Sequence, residues 1–239
     1  MNEHSCNDDK GQVKVPCPKK VPIFQSLSDE EIVKISRMTR HIQYNKGQML
    51  LNEGEKSDKL FIVNSGQVKV SKFTMDGKEQ ILYLLTSGEF FGELHLFNPD
   101  ETHNFSVYAI EDTEICLLTK EAIDQIMQNN PGISMKLLAA LTKRLAHTEN
   151  LAQNLATKDP DVRVAYMILE FCRKFGSKHQ EGILIKLPIS REEIASYVGV
   201  TRETISRKFS KFERMGLISL SGNKQLLVKN QHALREYIQ

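Results

Sequence analysis

Residues 190 to 215 read SREEIASYVGVTRETISRKFSKFERM and constrain the chain more than any other stretch. Ser190 opens a short amphipathic helix as N-cap, and Glu193, three positions on, completes a capping box. Gly199 supplies a tight turn, and Thr201 is placed to cap a second helix that begins Arg-Glu. Two short helices joined by a glycine-containing turn make a helix-turn-helix, whose second helix enters the DNA major groove. The first two turns of that helix offer Arg202, Glu203, Ser206 and Arg207, whose spacing puts them on roughly one face. Arginine pairs bidentately with guanine O6/N7 and glutamate accepts from cytosine N4, so these residue types suit base reading. The ordinary alternative is a charged, solvated helix face.

Charge agrees with the first reading. The 239 residues carry a net charge of only +2. Residues 160–239 hold 14 Lys/Arg against 8 Asp/Glu, a surplus of six that leaves −4 on the rest of the chain. A basic C-terminal third on an acidic body is the footprint of a DNA-binding module joined to a sensing domain. Composition is otherwise that of a globular protein, with 40% hydrophobic residues and no tryptophan. No apolar run approaches the ~18 residues of a membrane span, and the polar N-terminus has no signal-peptide core. The reading is a cytoplasmic protein without a membrane partner. Four scattered cysteines, Cys6, Cys17, Cys116 and Cys172, do not form a secreted disulfide framework.

The expected organisation is α+β in four parts. Residues 1–20 read as a flexible arm, with Asp8, Asp9, Gly11, Pro16 and Pro18. Residues 21–130 form a sensor domain. It opens with a helix from about Ser28 to Met38, whose apolar side is Leu27, Ile32 and Ile35. Short β runs (LFIV, QVKV, ILYLL) then alternate with glycines, and Asp76-Gly77 marks a hairpin turn. Strands with turns every 8 to 12 residues suggest a β-roll of the jelly-roll kind. Residues 131–158 are a long helix in which Leu138, Leu141, Leu145, Thr148, Ala152 and Leu155 are spaced 3, 4, 3, 4, 3. Such a heptad seam buries its stripe against a partner helix, here a second copy of the chain, and Leu137 and Leu151 widen it. Packing against its own domain is the competing reading. Lys158-Asp159-Pro160 is the hinge, since proline cannot continue a helix. Residues 159–239 start with a helix from Val162 to Phe175 and end as a winged helix. Its wing pairs Gly216–Leu220 with Gln225–Val228, and Lys224 is poised for a flanking phosphate.

This order of β-roll, long helix and winged helix resembles the CRP/FNR superfamily of bacterial transcription regulators. The resemblance runs from about Val21 to the C-terminus, and its most specific pieces are Gly92-Glu93-Leu94 and Val200-Thr-Arg-Glu-Thr-Ile-Ser-Arg207. It implies that Arg202 and Arg207 each read a guanine and Glu203 accepts from cytosine. Ser206 would contact a thymine or the backbone. The implied half-site is TGTGA in a two-fold palindrome, with the FNR-type TTGAT as runner-up. Double-stranded DNA, a second copy and, for an activator, RNA polymerase are the implied partners.

The resemblance leaves three signals open. Cyclic-nucleotide receptors of this kind place an arginine and then Ser/Thr nine positions beyond the leucine of Gly-Glu-Leu. Here His103 and Asn104 stand there, and imidazole is a poor substitute for a guanidinium clamp, so the residues argue against a cyclic nucleotide. Glu93 remains as a ribose partner. An oxygen-sensitive iron–sulfur cluster needs four thiolates. Cys116 falls where the β-roll ligand belongs, but the arm offers only Cys6 and Cys17, and Cys172 reads as core filler beside Ala165, Ile168 and Leu169. A reversible disulfide between Cys17 or Cys6 and Cys116 is the third reading. In the Glu114–Leu118 strand Cys116 points away from Ile115 and Leu117, and it is expected to be accessible, as a redox thiol must be. Cysteines that are structural only complete the choices. His41, His95, His103 and His147 lack metal-ligand spacing. No nucleophile elbow, Walker loop or zinc-protease motif occurs, so no catalytic residue, metal or resident cofactor is expected.

Overall fold

The computed structural model describes residues 19, 21–24, 27–98, 100–156 and 159–238. Most of the N-terminal arm, including Cys6 and Cys17, lies outside the described residues. The chain divides into two compact units between Arg144 and Leu145.

In the first unit Ser28 caps helix α1 (Asp29–Met38) through a capping box with Glu31. Eight strands follow: β1 (Arg40–Tyr44), β2 (Met49–Leu51), β3 (Lys59–Ser65), β4 (Gln67–Phe73), β5 (Glu79–Thr86), β6 (Phe90–Phe91), β7 (Ser106–Ala109) and β8 (Thr113–Thr119). They form two four-stranded sheets of order β1-β8-β3-β6 and β2-β7-β4-β5, antiparallel throughout. The β4–β5 hairpin turns at Asp76-Gly77, where Gly77 takes a positive φ of 76°, as the Asp-Gly signal predicts. Short helix α2 (Glu93–Phe97) lies between β6 and β7, and α3 (Lys120–Asn129) follows β8. Pro131 opens α4 (Pro131–Ala156).

Two apolar clusters hold this unit together. Val63, Val68, Val70, Phe91, Val107 and Ile115 join the inner faces of the two sheets. On the other face of β3 and β8, Leu60, Ile62, Cys116 and Leu118 pack with Ile32 and Ile35 of α1, Ile123 and Ile126 of α3, and Ile133 and Leu137 of α4. These strands are therefore covered twice, and two sequence expectations need correcting. Cys116 does alternate away from Ile115 and Leu117, but α1, α3 and α4 cover that face as well, and Cys116 is 0% exposed. Leu137 does not widen the heptad seam; it belongs to this core.

In the second unit Asp159 caps α5 (Pro160–Phe175) with Pro160 in its first turn, the position where proline loses nothing. A sheet of order β11-β12-β10-β9 comprises β9 (Gly176–His179), β10 (Gly182–Lys186), β11 (Ile218–Ser221) and β12 (Gln225–Val228). Between its halves come α6 (Arg191–Val198) and α7 (Arg202–Arg214), and α8 (Gln231–Glu236) closes the unit. Val164, Ile168 and Phe171 of α5 and Ile205, Phe209 and Phe212 of α7 are all buried.

Candidate nucleic-acid interface and sensor pocket

The helix-turn-helix forms as its capping signals dictate. Ser190 accepts from the Glu193 N–H at 3.2 Å, and the Glu193 carboxylate accepts from the Ser190 N–H at 2.9 Å. Gly199 ends α6 in the left-handed region, φ 71°, where a side chain would be strained. Thr201 caps α7 by accepting from the Thr204 N–H. The two ends are thus fixed before any ligand arrives.

Burial of Ile205, Phe209 and Phe212 turns the opposite face of α7 outward. Arg202, Glu203, Ser206 and Arg207 are all exposed on it, and Thr201 is exposed at its start. A hydrogen bond from its own backbone N–H, helped by Thr201, holds the Glu203 carboxyl below its ordinary range, so it is an acceptor at neutral pH. Lys224 is exposed on the wing turn between β11 and β12, while its carbonyl anchors that turn by accepting from the Leu187 N–H at 2.8 Å. The face presents two arginine forks, one carboxylate and one hydroxyl, a set able to pair with base edges.

Three residues behind this face carry no motif and escape sequence reasoning. Arg191 lies over the Phe209 ring at 4.3 Å. Asp161 ion-pairs with Lys208 and Lys211. Arg163 donates to the carbonyls of Val198 and Gly199.

In the β-roll, Gly92 (φ 89°) lets the chain turn into α2 within 2.6 Å of the Lys59 carbonyl, counting from where a Cβ would stand. That turn buries Glu93, whose carboxylate is paired with Arg144 of α4. Arg144 also donates to the Phe90 carbonyl, and its guanidinium lies 5.0 Å from the Phe90 ring and 5.7 Å from the Tyr83 ring. His103, at the position of the expected phosphate clamp, is 1% exposed and packs edge-on against His95 with ring centroids 3.8 Å apart. Burial, with His95 beside it, pushes its imidazole down to about 4. It is neutral at pH 7 and cannot hold an anion by charge. Asn104 is exposed. The residues present do not fit a cyclic phosphodiester, because the clamp position is a neutral ring; Glu93 meets Arg144 through Oε1, and its buried Oε2 has no hydrogen-bond partner among the described residues.

Cys116 is disulfide-bonded. Its sulfur lies 3.6 Å from His41 Nδ1; the same nitrogen is 2.8 Å from Glu114 Oε1, and Asn64 donates to Glu114 Oε2 at 2.7 Å. Cys172 is a free, buried thiol pushed up by burial. Among the described residues no group of three or more His, Cys, Asp or Glu could hold a metal ion, and no helix is long and apolar enough to cross a membrane.

On α4, Leu138 is 56% and Leu145 59% exposed. Thr148 and Ala152 are exposed as well, whereas Leu141 is partly buried against the β-roll core. The side chain of Leu155 lies outside the description.

Residues 41–130 match the family model described as cyclic nucleotide-binding domain, and residues 162–237 match the Crp-like helix-turn-helix domain. The chain is 35% identical over 181 residues to the cAMP-activated global transcriptional regulator CRP of Pasteurella multocida, covering 75% of this chain and 86% of that one. It is 29% identical over 213 residues to the CRP-like cAMP-activated global transcriptional regulator of Mycobacterium tuberculosis, covering 89% and 95%. Among solved structures, a CooA mutant from Carboxydothermus hydrogenoformans aligns with TM-score 0.76 at 25% identity, over 92% of this chain and 95% of that one. FixK2 from Bradyrhizobium japonicum aligns with TM-score 0.72 at 27% identity, over 83% and 96%.

Proposed function

Because this chain belongs to the CRP/FNR superfamily of DNA-binding transcription regulators, we propose that it acts as a homodimer on a palindrome resembling TGTGA-N6-TCACA and answers to redox state. The observation that carries the DNA reading is the outward face of α7, with Arg202, Glu203, Ser206 and Arg207 exposed together on a doubly capped helix. Arg202 and Arg207 each take a guanine, Glu203 a cytosine, and Ser206 a thymine or the backbone. Thr201 and Lys224 reach phosphates, which fix register and carry no sequence. A two-fold protein meets a two-fold site, and the exposed Leu138 and Leu145 support α4 as the dimer helix. The domain plan is the arm at 1–20, the β-roll at 21–130, the dimer helix at 131–158 and the winged helix at 159–239. RNA polymerase is the further partner of an activator, and a DNA partner places the protein in the cytoplasm.

The disulfide at Cys116 supports the redox reading over an iron–sulfur cluster, because a thiol switch needs only two sulfurs and a cluster takes four. Cys6 and Cys17 are the arm's candidates for its partner. A cyclic-nucleotide reading is favoured by the relatives named cAMP-activated and opposed by the neutral His103 at the clamp position.

Fluorescence anisotropy on the TGTGA palindrome and a scrambled duplex tests this, with protein reduced by a dithiol, oxidised, or given cyclic AMP. The expected result is preference for the palindrome by about 10³ or more, with affinity changed by oxidation and indifferent to cyclic AMP. Affinity that follows cyclic AMP and ignores redox transfers the signal to the nucleotide. No preference in any state overturns the half-site, and the TTGAT duplex is then the next probe.

A further inference from the structure

One turn of α5 grips both helices of the helix-turn-helix. Asp161, with a side chain only 9% exposed, meets Lys208 at 2.6 Å through Oδ1 and Lys211 through Oδ2. Two residues on, Arg163 donates to the Val198 carbonyl at 3.3 Å and the Gly199 carbonyl at 3.1 Å, where α6 ends. The carboxylate thus holds α7 and the guanidinium holds the turn before it.

The two lysines are three positions apart, so they share one flank of α7, and the first follows Arg207 directly. A helix seated in the major groove has a phosphate wall on each side. Lysines on its flank are natural phosphate ligands, and such contacts strengthen binding to every sequence alike. Asp161 opposes that. Its burial raises the carboxyl, but hydrogen bonds from Lys208 and Lys211 outweigh it and hold the group below its ordinary value. It is therefore a fixed anion wherever DNA is bound.

We propose that Asp161 limits sequence-independent affinity for DNA by holding Lys208 and Lys211 against α5 and off the DNA phosphates. Retention of α7 on a site then depends on its base-reading side chains. The inference rests on α7 being the reading helix.

The test measures affinity of the full-length protein for the palindromic and scrambled duplexes across a salt series. In the Asp161→Asn protein, affinity for the scrambled duplex rises about tenfold. The slope of log K against log salt steepens by about 1 to 2, since each phosphate newly neutralised adds ~0.9. Affinity for the palindrome rises by the same factor, so the ratio of palindrome to scramble is unchanged. A folded Asp161→Asn protein with wild-type slope and wild-type affinity for both duplexes overturns the proposal. Lys211→Gln guards against misfolding of the first variant, because Lys211 is 39% exposed. With Lys211 held off DNA, its removal leaves the wild-type slope unchanged; a slope shallower by ~0.9 places it on a phosphate and overturns the proposal. A wild-type protein that prefers neither duplex overturns the reading of α7, and the salt slopes of the variants still judge Asp161.

Discussion

At the scale of single residues, the exposed side chains of α7 and the buried imidazole pair make opposite demands on their surroundings. Arg207 is exposed and its worth lies in a bidentate contact, about 1–3 kcal/mol of discrimination. Arg207→Ala is expected to lose roughly 5- to 150-fold of preference at one base pair of each half-site; competition binding against point-substituted duplexes reads this, and an unchanged base preference assigns that base to another side chain. His103 is worth something only while neutral. Its pKa of about 4 in the folded chain lies below the ordinary 6.5, so the unfolded state binds the proton more readily. The contribution to stability is complete above pH 6.5 and lost as pH falls toward 4. The melting temperature is expected to drop across that window in the wild type and less steeply in His103→Leu; parallel curves would move the acid sensitivity elsewhere. The exposed face of α7 was legible because each of its residues sits at a fixed offset from the Thr201 cap. The burial of His103 against His95 was not, because nothing in the intervening residues says that the loop before β7 returns to α2.

The elements follow local chemistry where that chemistry is punctuated. Ser28, Ser190 and Thr201 start their helices where they stand, since each N-cap satisfies a backbone N–H that no helical carbonyl can reach. The Asp76-Gly77 hairpin was equally plain. Helix α3 was hidden because it begins directly after β8, with only Thr119 as cap and no glycine or proline between. The β9–β10 hairpin was hidden because β9 is exposed along its whole length and shows no apolar alternation. Helix α4 carried two overlapping patterns. Ile133, Leu137 and in part Leu141 serve its own core, while Leu138 and Leu145 face outward. With both leucines changed to glutamate, the protein is expected to run by light scattering at the mass of one chain instead of two and to bind the palindrome at least tenfold more weakly. A double variant that remains dimeric places the interface off this seam.

For the whole molecule, the architecture was legible because each class of element has its own period and they occur in blocks along the chain. The pairings that tune it were not. Glu93 and Arg144 are 51 residues apart, Asp161 and Lys211 are 50, and His41 and Cys116 are 75, and only the tertiary fold brings such partners together. The same fold placed a second layer over β8 and buried Cys116, where strand alternation alone suggested an open face. The caps on α6 and α7 reach further than stability. A helix ordered at both ends before it meets a duplex leaves little disorder to be lost on contact, so encounter is governed by diffusion and by charge. Cognate and random DNA are then entered at similar speed, and the regulator tells them apart by how long it stays.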